Sequence, residues 1–212
     1  MAFLTAGIEQ GFFIGFEGPD ASYVANNMKS ISEHPKVVQR YLEEEISLGR
    51  IQGPFTRPPF HPFRSNQIGV VEKKNSGKFR TIMNLSHPKG VAVNEYISKE
   101  DYSLTYVTVD TAIEKILALG RGCLLTKVDV EKAFRVIPVH PSQWHLLGFS
   151  WNGGFYFDTV LSMGGRSSPY LFNVIADAAE WVCKNNYSMD FLIHLLDDFL
   201  SVEERGGGQR SR

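Results

Sequence analysis

The sequence predicts an α+β fold. Antiparallel strands at roughly 123–129, 190–196 and 199–203 are backed by two helices at roughly 111–119 and 169–184. Three observations predict it. Phe191-Leu-Ile-His-Leu-Leu-Asp-Asp-Phe-Leu-Ser-Val202 is an apolar run, two adjacent carboxylates and a second apolar run, the pattern of a strand, a tight turn at Asp197 and Asp198, and a returning strand. Cys123-Leu-Leu-Thr-Lys-Val-Asp129 is a further apolar strand, and it ends in an acid. Ile113, Ile116 and Leu117, and then Leu171, Val174, Ile175, Ala178 and Val182, recur at helical spacing.

A chain of 212 residues, 43% hydrophobic and 21% charged, can bury one large or two small cores. No apolar stretch approaches the roughly 18 residues of a membrane span, and the amino end lacks a basic, apolar, small-residue signal. An intracellular place, cytoplasmic or nuclear, with no membrane partner and no secretion is expected. Cys123 and Cys183 show no Cys-x-x-Cys or Cys/His spacing, which disfavours zinc and disulfides and points to reduced core thiols. The net charge of −1 gives no global pull toward nucleic acid. Locally the balance differs: residues 57–89 carry seven lysines and arginines against the single Glu72.

In chain order, residues 1–32 lack sustained periodicity and read as an extension draped over other elements. From Pro35, Val38, Tyr41, Leu42 and Leu48 form the apolar face of a helix, with Glu43 to Glu45 outward and Gly49 as its stop. Gly53-Pro-Phe-Thr-Arg-Pro-Pro-Phe-His-Pro62 has four prolines in ten residues and reads as an extended connector at a boundary. Residues 68–71 and 79–85 form two strands joined by a turn around Asn75-Ser-Gly77, with Lys73, Lys74, Lys78 and Arg80 clustered there. This cluster is either a solubilising tip or a phosphate clamp.

Thr111-Ala-Ile-Glu114 has the form of a capping box for the first helix. In the following strand, alternation puts Leu125, Lys127 and Asp129 on one face, and Asp129 either caps a helix from Glu131 or presents a functional carboxylate. Residues 145–151 and 155–161 flank Asn152-Gly153-Gly154, a hairpin signal. Ser162-Met-Gly-Gly-Arg-Ser-Ser168 is small and flexible, and Pro169 opens the second helix. The histidines show no ligand spacing, so His140 and His194 read as packed or surface side chains. Asp197 and Asp198 are either ordinary turn residues or a pair that needs a divalent cation to offset its mutual repulsion.

Several ordered blocks carry a resemblance. Asp129 with Phe134 five positions later, Leu161 to Pro169 leading into a helix, and the Asp-Asp hairpin resemble the palm of reverse transcriptases. The Lys73 to Arg80 hairpin resembles their fingers. More narrowly, Gly49-Arg-Ile-Gln-Gly-Pro-Phe55, Asn84-Leu-Ser-His-Pro88, Val93-Asn94, Lys127-Val-Asp-Val-Glu-Lys-Ala-Phe-Arg-Val-Ile-Pro-Val-His-Pro141 and Leu146-Leu-Gly-Phe149 resemble the DIRS-type and Ngaro-type retrotransposons, whose integration uses a tyrosine recombinase.

The resemblance implies an RNA-directed DNA polymerase, with an RNA or DNA template, a primer and deoxynucleoside triphosphates as partners. Asp129, Asp197 and Asp198 match the acids that hold two Mg²⁺, or Mn²⁺, ions. Lys73, Arg80, Phe134, Met163 and Gly164 match positions around the incoming nucleotide, where the Phe134 ring excludes a ribose 2′-hydroxyl. Template and primer contacts are expected at Lys74, Lys78, Arg166 and Leu195. Leu195 stands where the family usually has Tyr, and Ser162-Met163 where it has Pro-Gln or Pro-Phe. The implied division is an amino-terminal extension and helix at 1–45, fingers at 46–103 and 137–167, palm at 104–136 and 168–204, and a tail at 205–212. The short stretch after Asp198 leaves no room for a thumb or ribonuclease H, so a truncated copy with weak or no polymerisation is expected. A non-catalytic nucleic-acid-binding remnant and a bare structural relic are the alternatives. An RNA-dependent RNA polymerase is disfavoured by Phe134.

Overall fold

A computed structural model describes residues 2–74 and 76–205. Asn75 of the expected turn and residues 206–212 of the expected tail lie outside the described residues. In chain order the first elements are α1 (Ala2–Gln10), β1 (Tyr23–Val24), α2 (Ser30–Glu33), α3 (Pro35–Ser47), β2 (Ile51–Phe55), β3 (Arg64–Glu72) and β4 (Phe79–Asn84). They are followed by α4 (Val109–Leu119), β5 (Leu124–Asp129), β6 (Gly148–Trp151), β7 (Gly154–Asp158), α5 (Ser168–Tyr187), β8 (Leu192–Leu195) and β9 (Asp198–Glu203). The chain divides into two compact units, one made by residues of 1–102 and 134–171, the other by residues of 103–133 and 172–212.

The first unit is built on β3, a strand long enough to serve three partners. Its first residues pair in parallel with β1 and β6, and its remainder pairs antiparallel with β4 from Gln67↔Asn84 to Glu72↔Phe79. The sheet runs β1-β3-β6-β7-β2, with β4 off this path. Within residues 1–32, α1 is helical and β1 joins the sheet, while the irregular chain between α1 and β1 lies along other elements through the bridges Phe12↔Val139 and Phe16↔Ile97. The proline-rich stretch is likewise partly strand, because β2 pairs antiparallel with β7. Edge placement makes this possible: Pro54 has no N–H to give, and an edge strand needs donors on one side only.

The core of this unit gathers Ile31, Val38, Leu42, Ile51, Ile68, Val70, Phe149 and Tyr156. Val38 and Leu42 come from the face of α3 expected from periodicity, whereas Leu48 caps the helix and is exposed. Glu45, expected outward, is 1% exposed. It sits three residues after Leu42, on the same helical stripe, and burial is tolerated because Arg135 Nε donates to Glu45 Oε2 at 2.9 Å. Arg135 also forks onto Asp158, with Nη2 to Oδ1 at 2.9 Å and Nη1 to Oδ2 at 2.8 Å. Burial works against the guanidinium charge, but Asp158 foremost and then Glu45 hold its proton more tightly than on a free arginine. Tyr41 beside them is pushed well above its ordinary range by burial and then by the Asp158 charge.

A second buried cation organises the amino-terminal segment. Arg64 is 1% exposed. It donates from Nη1 to Val91 O at 2.6 Å and from Nη2 to Pro19 O at 2.7 Å, with its guanidinium over the rings of Phe16, Tyr23 and Tyr96. Arg64→Leu is expected to lower stability by about 2–3 kcal/mol, because two backbone carbonyls lose charge-assisted donors and three rings lose a buried cation. Urea denaturation measures the loss, and amide exchange should locate it at residues 16–24 and 91–96. A change under about 0.5 kcal/mol would contradict this account.

In the second unit β5, β9 and β8 form an antiparallel sheet in that order. β5 pairs with β9 from Leu124↔Glu203 to Asp129↔Asp198, and β8 pairs with β9 from Leu192↔Ser201 to Leu195↔Asp198. The helices expected at 111–119 and 169–184 are α4 and α5, each longer by a few residues. The amino cap of α4 is Thr108, whose hydroxyl accepts from Thr111 N, rather than Thr111 itself. No residue of α4 is buried, and Val109, Ile113 and Leu117 of its apolar stripe are exposed. Within 145–151 only residues 148–151 form strand, the preceding Pro141–Leu146 being a 3-10 turn. After Asp129 a 3-10 turn at Ala133–Val136 takes the place of the helix expected from Glu131. Cys123 and Cys183 are free and half-buried.

Candidate catalytic site

The two-residue connection between β8 and β9 consists of Leu196 and Asp197, not Asp197 and Asp198, so Asp198 is the first residue of β9. Leu196 has φ 52°, in the left-handed region that glycine or asparagine adopts at least cost. Such a tight two-residue loop needs a positive φ to follow the right-handed twist of its strands. Asp198 thereby faces Asp129 directly across the ladder. Residues paired this way project from the same face with Cβ atoms about 4.5–5.5 Å apart. Val130 N donates to Asp197 O at 3.0 Å, tying the turn to the end of β5.

Two like charges set opposite each other are unfavourable unless a cation intervenes. Here Lys127, two residues before Asp129 on the same face, places Nζ 3.0 Å from Asp198 Oδ1. The donor chemistry fits a hard divalent cation: carboxylate oxygens on one face, with an ammonium already drawn to one of them. Among the described residues no three His, Cys, Asp or Glu side chains are grouped closely enough to hold a metal ion. The facing pair is thus Asp129 and Asp198, with Asp197 at the turn beside it.

The opposite face of the hairpin is anchored to α5. His194, opposite Phe199 in the ladder, is buried, and its Nδ1 lies 2.6 Å from Glu180 Oε2. Its Nε2 lies 3.5 Å from Asp177 Oδ1, and its ring stacks on Phe199, centroids 5.2 Å apart. Lys184 donates to the other Glu180 oxygen. Burial raises the Glu180 carboxyl, but the hydrogen bonds from Lys184 and His194 outweigh it, so the group lies below its ordinary range. A depressed carboxylate stabilises the fold above its unfolded-state range, and that contribution is lost as pH falls through the lower folded-state value. Glu180→Gln is expected to lower stability by about 1 kcal/mol near neutrality, at the low end for charge-assisted bonds because the site is part-exposed. Thermal melts of both proteins across pH should show the gap closing toward strong acid. A gap that widens there would contradict the assignment.

Apart from Leu195, which ends β8 in the second unit, the other expected site residues lie in the first unit. Arg80 is opposite Val71, and Lys73 N donates to Lys78 O at 2.6 Å, so the ladder continues past the strand ends. Alternation puts Lys73, Lys78 and Arg80 on the face away from the core residues Ile68 and Val70, and all three, with Lys74, are exposed. Phe134 is half-buried in the 133–136 turn.

The loop of Met163, Gly164 and Arg166 is held by Asn94, which sequence reasoning did not single out as a bonded residue. Its Nδ2 donates to Gly164 O and its Oδ1 accepts from Arg166 N, both at 2.8 Å. A Cβ on Gly164 would stand 2.2 Å from Met83 O, so glycine is required here by packing against β4. Arg166 Nη1 donates to Ile97 O at 2.8 Å, and the residue is half-buried. Met163 and Leu195 are exposed.

Comparison with known proteins bears on this arrangement. A family model described as reverse transcriptase (RNA-dependent DNA polymerase) matches residues 71–205. The Gag-Pro-Pol polyproteins of mouse mammary tumor virus (strain BR6) and Mason-Pfizer monkey virus are each 24% identical over 178 residues, covering 79% of this chain and 9% of theirs. The chain therefore spans less than a tenth of the length of these relatives. Among solved structures, a selenomethionine-labelled mutant of the prototype foamy virus protease-reverse transcriptase superposes with TM-score 0.64 at 18% identity, over 89% of this chain and 22% of that one. The foamy viral protease-reverse transcriptase in complex with an RNA/DNA hybrid superposes with TM-score 0.61 at 16% identity, over 92% and 23%.

Proposed function

We propose, for a chain that belongs to the reverse transcriptase (RNA-dependent DNA polymerase) family, that it extends a primer 3′-hydroxyl with deoxynucleotides on an RNA or DNA template. The observation that carries this reading is the register of Asp129 against Asp198, with Asp197 tied beside them.

In this reading the second unit is the palm, with boundaries near 104–136 and 168–204. The first holds the fingers, near 46–103 and 137–167, with the amino-terminal residues 1–45. Asp129, Asp197 and Asp198 would hold two divalent ions, Mg²⁺ with Mn²⁺ as a substitute. Such ions supply activation of the attacking hydroxyl and charge stabilisation of the pyrophosphate leaving group.

The chain's own residues do the rest. Lys73 and Arg80 offer a mobile ammonium and a bidentate fork to the triphosphate, with Lys74 and Lys78 beside them for the template strand. Phe134 would meet the sugar and exclude a 2′-hydroxyl by size. Met163 and Gly164, in the loop that Asn94 holds and that packs on β4 at Gly164, would lie beside the incoming nucleotide. Leu195, at the strand end before the acids, would lie beside the primer terminus. The sequence blocks favour the DIRS-type and Ngaro-type branch of the family and an intracellular site of action. No helix among the described residues is long and apolar enough to cross a membrane.

Primer extension by the purified chain tests the reading, using a primed RNA template, deoxynucleoside triphosphates and Mg²⁺. Extension by the parent and none by Asp197→Asn, Asp198→Asn supports it. Salt-dependent binding of the duplex without extension by either protein would instead identify a non-catalytic binding module.

A further inference from the structure

We propose that Lys127 is the built-in counter-ion of the acid pair, neutralising it when no divalent cation is bound and competing with such cations for the Asp198 carboxylate. The inference rests on reading Asp129 and Asp198 as cation-binding acids. It goes further in assigning a role to a residue that this reading does not use.

The geometry is specific. Lys127 lies opposite Leu200 in the β5–β9 ladder, one step along the same face from the Asp129 and Asp198 pair. From there its side chain reaches diagonally across the strands to place Nζ 3.0 Å from Asp198 Oδ1. The two side chains are 64% and 42% exposed, so the ammonium can swing into water without a desolvation barrier. A buried lysine could not leave, and one on the other face could not reach.

Two consequences of opposite sign follow from Coulomb's law. Without Lys127, the facing carboxylates repel with nothing between them, and the cation-free fold weakens. The same removal takes away a positive charge that repels an incoming divalent ion and occupies one of its oxygens, so cation affinity rises. A lysine that merely solubilises the strand would change neither quantity. One that serves only to hold phosphate would change neither while nucleotide is absent.

The test is a titration of the full 212-residue chain with Mn²⁺ alone, followed by electron paramagnetic resonance, for the parent, Lys127→Met and Lys127→Arg. Lys127→Met is expected to bind Mn²⁺ about three- to tenfold more tightly, and Lys127→Arg to stay within about twofold of the parent. In EDTA, Lys127→Met should melt about 2–4 °C lower, and millimolar Mg²⁺ should restore most of that difference. Circular dichroism confirms that each variant is folded before titration. Asp129→Asn and Asp198→Asn accompany the series. Equal or weaker Mn²⁺ affinity in Lys127→Met, with binding still lost in the aspartate variants, overturns the role of Lys127 alone. Mn²⁺ binding that survives both aspartate substitutions overturns the acid site, and this inference with it.

Discussion

Arg135→Met should lower the stability of the first unit by about 3–5 kcal/mol, the usual cost of removing one member of a buried ion network. Glu45 and Asp158 are each 1% exposed, and Arg135 supplies one hydrogen bond to the first and a two-pronged clasp to the second. Arg50 Nη1 lies 3.6 Å from Glu45 Oε1, beyond hydrogen-bond distance. Without Arg135, two carboxylates would share one desolvated site, and unfolding or uptake of protons would relieve them. The network joins α3, the 133–136 turn and β7, so the loss should appear in amide exchange at all three. Replacing Glu45, Arg135 and Asp158 together by apolar residues of similar volume should recover most of the stability, since the desolvation cost disappears with the charges. Denaturant unfolding measures both variants. A loss below about 1 kcal/mol for Arg135→Met would show that the network is not desolvated as described.

Under the proposed primer-extension activity, the second large effect is on turnover. Asp129→Asn keeps volume and one oxygen but removes a full negative charge from the facing pair. Primer extension should fall by about a thousandfold or more, since charge stabilisation by bound metal is worth several kcal/mol of activation free energy. The substitution should leave stability unchanged or slightly raised, because Asp129 opposes the like charge of Asp198. That separation is the diagnostic: lost extension with an unchanged melting temperature marks a residue kept for chemistry, whereas parallel losses mark a structural one. Extension within tenfold of the parent would remove Asp129 from the site.

The β5 alternation and both helices of the second unit are legible because each is written in local periodicity, whereas the role of the acids rests on the resemblance of the surrounding blocks. The period of two, for example, puts Lys127 on the face of Asp129. The turn register was not legible. Moving the loop from Asp197-Asp198 to Leu196-Asp197 depends on cross-strand pairing, and no propensity argument favours a leucine at positive φ. Glu45 was misread for a related reason, since a glutamate on a helix is outward by default until a partner ninety positions away neutralises it. Asn94 was visible only as part of a motif, its work on the 163–166 loop being a contact across 70 positions. Periodicity also marks an apolar stripe without saying whether anything covers it, and the exposed Val109, Ile113 and Leu117 of α4 show the difference.

By itself the sequence determined the chemistry on offer: which residues are acids, which are cations, and which face of each strand or helix they share. Those properties follow from side-chain type and from backbone periods of two and 3.6, which need no long-range information. Only the tertiary structure decided which charges meet. It set Asp129 against Asp198, gave Lys127 to Asp198, and buried Arg135 between two carboxylates, because register and burial are fixed by pairings distant in the chain. A charge is worth little or much according to the partner and the dielectric it finds there.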